Sequence, residues 1–322
     1  MRSHSALARL QQAITLLLLC SALGWLSWYW RRSPLVAIAG FLAIAMSYSA
    51  FLAVEFLALR LISRGDSAPR PGWAELARAW LRETMVAPLV FCWWQPFRWR
   101  NLPDRLDAAS FQPGRRGVVL IHGFVCNRGF WTPWLKALGA GGYPFIAVNL
   151  EPVFGSIDDY VPIIEQAVRR VTEVTGMPPV LVCHSMGGLA ARAWLRESAD
   201  ARIHHVVTIG SPHQGTWLAR FSGMTNGRQM RKHSEWLRQL RESEGKNRNA
   251  RFTCWYSNCD NIAFPTSTAT LSGADNRLVR GAAHVDLGFH HRVMNETLAM
   301  IAATQHPKSA ATSNRGGSEP DR

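Results

Sequence analysis

Metal-ligand spacing is missing from this chain. Its six cysteines (Cys20, Cys92, Cys126, Cys183, Cys254 and Cys259) are scattered through apolar segments and form no C-x-x-C or Cys/His pattern, so no structural or catalytic metal is implied. Buried reduced thiols are the expectation, with a Cys254–Cys259 bridge as the alternative for an exported domain. Acidic residues are scarce, 22 against 36 Lys and Arg, for a net charge of +14. That excess suits either nucleic acid or an anionic membrane surface. A basic helix-turn-helix, a zinc finger and an RNA-binding signature are all lacking, which sets nucleic acid aside as a partner. No internal repeat is present either, which excludes a solenoid.

Charge is absent altogether from Ala13 to Trp30, 18 residues. After Arg31-Arg32-Ser33-Pro34, the run from Leu35 to Leu59 spans 25 residues with Glu55 as its only charge. Each run can cross roughly 30 Å of hydrocarbon as a helix, and the break between them allows only a tight loop. A two-helix transmembrane hairpin over residues 1–62 is therefore predicted, with spans 13–30 and 35–59. Trp25, Trp28, Tyr29 and Trp30 crowd one end of the first span, as interfacial aromatic residues do. A cleaved signal peptide fits less well, because the apolar run is long and a second follows at once. A lipoprotein signal would need a small residue where Leu18 and Leu19 precede Cys20. Arg2, Arg9, Arg60, Arg64, Arg70 and Arg78 flank the hairpin, against Arg31 and Arg32 inside it. The bias places both termini and the following domain on the cytoplasmic side of a bacterial-type inner membrane. Glu55 is expected to snorkel or to pair with Arg60.

Residues 63–114 read as a linker and an amphipathic arm. Ser63 to Gly72 is turn-rich, and Trp73 to Arg82 has helical spacing with Trp73, Leu76, Ala77, Trp80 and Leu81 on one side. The aromatic and basic segment Phe91 to Arg100 either lies along a membrane interface or packs on the following domain. From Gly117 apolar strands alternate with helices. Strands are predicted at Val118–Ile121, Phe145–Val148, Val180–Cys183, Val206–Ile209, Arg251–Tyr256 and Leu278–Val279. Helices are predicted at Asp158–Thr175 and His291–Ala303. The alternation argues an α/β domain over 115–304, a mostly parallel sheet of about six strands with helices on both faces. Residues 305–322 are small and polar and read as a disordered tail.

Cys183-His184-Ser185-Met186-Gly187 stands between an apolar strand and a helical pattern starting at Gly188. A serine on so tight a turn has its hydroxyl forced out at the carboxyl end of the sheet. This resembles the nucleophile elbow of the α/β-hydrolases, with Cys183 where the first glycine of G-x-S-x-G usually stands. In that fold an acid and a histidine follow in order, after later strands. Asp260 lies just past a strand, 75 residues after Ser185, and His284 lies in a loop after the next one. Asp275 precedes its strand and Asp286 follows His284 too closely, so neither suits the acid as well. His290 and His291 open the last helix as surface or capping residues. His184 should point into supporting structure, and His122 belongs to a turn. The oxyanion hole needs two backbone N–H donors, expected from Phe124 and Met186.

Val119-Leu120-Ile121-His122-Gly123-Phe124, Cys183 to Gly188 and Ile209-Gly210-Ser211-Pro212-His213-Gln214-Gly215-Thr216 together look like bacterial triacylglycerol lipases and related esterases of the α/β-hydrolase superfamily. Tyr256 to Asp260 and Gly281 to Val285 resemble the acid and histidine segments of small bacterial lipases. The resemblance spans about residues 115–303. It covers none of the hairpin and implies a serine carboxylester hydrolase that uses a Ser185–His284–Asp260 triad and an acyl-enzyme; with the two apolar runs, a membrane-anchored enzyme is expected. No cofactor is implied, and the expected partners are an acyl-ester substrate and membrane lipids. The fold also hosts thioesterases and acyltransferases, and a non-catalytic lipid- or partner-binding protein is the rival from another class. Residues 216–251, with nine Arg/Lys against three Glu, form either an amphipathic lid or an ordinary surface helix.

Overall fold

Apolar helices lead the chain in the computed structural model, which describes residues 5–198, 202–244 and 248–304. The expected tail at 305–322 lies outside the described residues. Helix α1 (Ala6–Trp30) opens at Ser5, whose hydroxyl accepts the Ala8 N–H at 3.2 Å. It starts well before the charge-free run because Leu7, Ala8 and Gln11 are buried against the rest of the protein. α1 is long and apolar enough to cross a membrane. Ser33 caps α2 (Pro34–Ala45), with proline in the first turn where its missing N–H costs nothing.

The second expected span is not one helix. α2 stops at Ala45, and α3 (Ser47–Ile62) restarts after Met46 at a bend of 50°. The hydroxyls of Ser47 and Ser49 donate back to the carbonyls of Ile44 and Met46, at 2.9 and 2.7 Å. Such back-bonding competes with the helical ladder and bends helices. α2 and α3 thus have the length of a span only as a bent pair.

Helix α4 (Trp73–Pro88) runs past the predicted end at Arg82 and continues as a wider π-helix over Leu89–Arg98. Its buried face is Leu76, Ala79, Glu83 and Thr84, while Trp73 and Leu81 are exposed. The aromatic segment divides its two faces. Val90, Gln95 and Pro96 are buried and Trp94 meets Phe289 edge-on, whereas Trp93 and Phe97 remain exposed.

Six strands form one parallel sheet: β1 (Val118–Ile121), β2 (Phe145–Ala147), β3 (Val180–His184), β4 (His205–Ile209), β5 (Phe252–Ser257) and β6 (Asp275–Val279). Their order is β2-β1-β3-β4-β5-β6. β6 begins earlier than predicted, at Asp275, which therefore sits at the amino end of the sheet, paired with Arg277. Between and after the strands run α5 (Thr132–Ala140), α6 (Val161–Thr175), α7 (Met186–Glu197), α8 (Thr225–Gln229), α9 (Glu235–Glu242), α10 (His284–Phe289) and α11 (His291–Ala303).

Successive strand residues feed opposite cores, as the pleat requires. Val119, Ile121, Leu181 and Cys183 pack with Ile164 and Val168 of α6, Trp194 of α7, and Leu237 and Leu240 of α9. Val118, Leu120, Val180 and Val182 pack on the other face with Trp134 and Leu138 of α5 and with Val293 and Ile301 of α11. Leu237, Leu240 and Met230 therefore root residues 216–251 in the main core, while Phe221 and Met224 of the same segment are exposed. All six cysteines are free thiols. Cys254 and Cys259 are buried without a bridge, whereas Cys20 is exposed on α1, against the expectation of burial.

Candidate active site

Ser185 sits between β3 and α7 with φ 54° and ψ −127°, a strained conformation for a residue bearing a side chain. Strand and helix nearly touch there. A Cβ on Gly187 would stand 2.3 Å from the Ile121 carbonyl oxygen, and one on Gly188 would stand 2.3 Å from Ser211 Oγ. Cys183 is tolerated at the first small position because its side chain enters the apolar cluster under α6 and α7. The loop after β1 presses on the serine from the other side. A Cβ on Gly123 would lie 2.7 Å from Ser185 Cβ and 3.3 Å from its Oγ, so glycine lets the loop backbone approach Ser185. Met186 follows Ser185 as the first residue of α7, placing its N–H at a helix N-terminus.

Asp260 and His284 leave the carboxyl ends of β5 and β6, the edge from which Ser185 also emerges. His284 Nδ1 lies 2.8 Å from Asp260 Oδ1 and 3.0 Å from Oδ2. Asp260 Oδ1 also accepts the N–H groups of Ile262 and Ala263, at 2.9 and 2.8 Å, which fixes the carboxylate. Both side chains are buried. Burial opposes protonation of His284, but the Asp260 charge and hydrogen bond, joined by the Glu83 and Glu55 carboxylates, outweigh it and raise the imidazole above its ordinary value. With Nδ1 turned to the acid, Nε2 is the nitrogen free to serve as a base.

The sequence predicts His284 in a loop. It is instead the first residue of the short helix α10, whose terminal N–H groups need acceptors. Glu83 of α4 supplies them, accepting from Val285 N at 2.9 Å and from Asp286 N at 3.0 Å. Burial pushes the Glu83 carboxyl up to about 7. The His284 N–H itself donates to Asn261 Oδ1 at 3.1 Å, and Asn261 Nδ2 donates to Glu55 Oε2 at 2.6 Å. Glu55 thus does not pair with Arg60, whose guanidinium donates to the Pro71 carbonyl and lies over the Trp73 ring. Glu83 and Asn261 escaped sequence reasoning. The available signals were a lone acid on the apolar side of an amphipathic helix and an amide next to the candidate acid.

The other imidazoles fall outside this chemistry. His122 accepts the Leu150 N–H at Nε2, 3.0 Å away, which leaves Nδ1 to donate to the Gly123 carbonyl at 2.9 Å. Burial pushes it down to about 4. His184 stacks on Phe130 at 4.3 Å with Nε2 3.1 Å from the His284 carbonyl oxygen, a supporting position as expected. His290 caps α11 by accepting the Arg292 N–H, and Asp286 faces Arg82 at 3.7 Å rather than His284.

A parallel sheet with a strained serine at the β3–α7 turn, and an acid and a histidine after later strands, defines the α/β-hydrolase class. The chain belongs to the alpha/beta hydrolase family, which its residues 118–302 match. Among solved structures, the mature Bacillus licheniformis lipase superposes with a TM-score of 0.53 at 15% identity, covering 59% of this chain and 94% of that one. Aspergillus fumigatus lipase B gives a TM-score of 0.56 at 15% identity, covering 94% of this chain and 82% of its own. These likenesses concern the fold. No curated protein sequence matches the chain.

Proposed function

We propose that this protein is a membrane-anchored serine hydrolase of carboxylic esters, with Ser185 as nucleophile, His284 as base and Asp260 as its orienting acid. The observation that carries the reading is the buried Asp260–His284 contact on the sheet edge where Ser185 adopts its strained turn. In the reaction, Ser185 Oγ attacks the ester carbonyl carbon while His284 Nε2 takes the hydroxyl proton. The N–H groups of Phe124 and Met186 receive the tetrahedral oxyanion. Collapse expels the alcohol, which takes the proton back from His284. Water, deprotonated by the same imidazole, then attacks the acyl-enzyme, and His284 returns that proton to Ser185 Oγ as the carboxylic acid leaves.

Lipid-like esters are the substrate class supported best. Phe154, which meets Phe124 edge-on, is 42% exposed, and Phe221 is 71% exposed, so apolar surface is available to acyl chains. Anchoring rests on α1 and on the bent α2–α3 pair, and the arginine bias supports a cytoplasmic catalytic domain. The test is fluorophosphonate labelling of membranes carrying the protein or its Ser185→Ala variant, followed by p-nitrophenyl esters of increasing chain length. Labelling that vanishes with Ser185, together with ester turnover, is the expected result. An unlabelled, well-folded protein would overturn it.

A further inference from the structure

The family match begins at residue 118, yet His284 and its loop are held by side chains that precede it. α3 buries Glu55, Phe56 and Leu59, while Phe51, Val54, Leu57 and Leu61 face outward. Phe56 and Leu59 pack with Leu76 and Ala79 of α4 and with Cys259, Phe264 and Ala283. Cys259 and Ala283 immediately precede Asp260 and His284 in sequence, so the apolar helix forms one wall of the candidate site. Within that wall Glu55 takes the Asn261 amide and Asn261 takes the His284 N–H. From α4, Glu83 takes the next two N–H groups of α10. A third grip lies on the opposite loop: Gln11 of α1 donates to the Val125 carbonyl at 3.4 Å, one residue past Phe124.

We infer that Glu55 and Glu83 are positioning residues for His284, which makes the docked N-terminal helices part of the catalytic unit as well as its anchor. The inference rests on the proposed role of His284. Its physical basis is that a buried N–H without an acceptor is costly. Removing either carboxylate therefore lets α10 and its imidazole shift, and a displacement of about 1 Å costs roughly 10²-fold in rate. Glu55 also joins the helix that Phe56 and Leu59 dock, so any movement of α3 within a membrane bears directly on the loop carrying Asp260 and His284.

The test uses the full chain in detergent micelles, comparing wild type with Glu55→Leu, Glu55→Gln, Asn261→Ala and the Glu55→Leu/Asn261→Ala double variant. The readouts are kcat and KM on a soluble p-nitrophenyl ester and the rate of fluorophosphonate labelling. Glu55→Leu should lower kcat and labelling about ten- to hundredfold with KM nearly unchanged, by misplacement of the base. Glu55→Gln keeps an oxygen acceptor for Asn261 and should restore kcat to near wild type. Asn261→Ala should match Glu55→Leu, and the double variant should be no worse than either, because both break one link. Should Glu55→Leu not fold, Asn261→Ala decides, since it cuts the same link from the domain side. Wild-type kcat in Glu55→Leu or in Asn261→Ala, equal loss in Glu55→Gln, or additive losses would overturn the inference. A wild type that neither labels nor turns over ester would instead overturn the hydrolase reading beneath it.

Discussion

Gly210 lies directly under His284: a Cβ built on it would stand 3.2 Å from the imidazole Nδ1 and 2.9 Å from Asp260 Oδ2. Its φ of +60° is also one that side-chain-bearing residues rarely adopt. The end of β4 is therefore the floor on which the acid–base pair rests. Gly210→Ala should push the pair apart and cost about 1–2 kcal/mol of stability from the backbone alone. Steady-state kinetics should show kcat reduced by about 10², and thermal unfolding a lowered Tm.

Removing the proposed reacting groups should be far more damaging than removing their support. Ser185→Ala and His284→Ala should each lower kcat by roughly 10⁶ while leaving the circular dichroism spectrum unchanged. Asp260→Asn should cost about 10⁴. Wild-type turnover in Asp260→Asn would remove that residue from the role of orienting acid.

In the proposed mechanism His284 must be neutral to accept the Ser185 proton. Because its pKa is raised, the acid limb of the kcat/KM profile should sit above 6.5, the ordinary imidazole value. The groups facing it are Asp260, Glu83, Glu55 and His184. Asp260→Asn removes the strongest of the charges that raise it, so the limb in that variant should move to lower pH. The sign for stability follows from linkage. A raised folded pKa stabilises the protein below the unfolded value, and that contribution disappears as pH rises through the folded one. Residual activity and Tm measured across this range would check both statements.

Away from the site, Arg192 of α7 is 1% exposed and makes a two-pronged pair with Glu244, at 2.6 and 3.0 Å. It also donates to the His213 carbonyl at 2.9 Å. Glu244→Ala leaves a buried guanidinium without its counter-ion, and chemical denaturation should register a loss of about 3–5 kcal/mol. Replacing the exposed Glu173 of the Arg169 pair, 64% accessible, should change stability by less than about 1 kcal/mol.

The segment between β4 and β5 carries a clear pattern that does not by itself fix a role. The basic, amphipathic stretch 216–251 fits a lid or a surface helix equally well. Burial of Leu237 and Leu240 in the main core ties its second half to the domain, while Phe221 and Met224 stay outside. Similarly, Trp73 to Arg82 has a clear helical period, yet the buried face is rotated to include Glu83. Periodicity reports that a face exists. The partner that packs on it decides which one is buried.

What the sequence by itself determined is the part governed by local patterning. Short runs such as Val118–Ile121 and residues 180–183 are apolar at every position because a parallel strand is covered on both faces. The small residues around Ser185 mark the turn, and Asp260 and His284 follow strands in the family's order. Tertiary structure alone decided the support of the site. Glu55 meets Asn261 across 206 residues and Glu83 meets Val285 across 202, and no local preference encodes a contact between groups so distant along the chain. Only the packing of α4 on α10, and of α3 on α4 and on Cys259, Phe264 and Ala283, brings those carboxylates to the segment that carries the histidine.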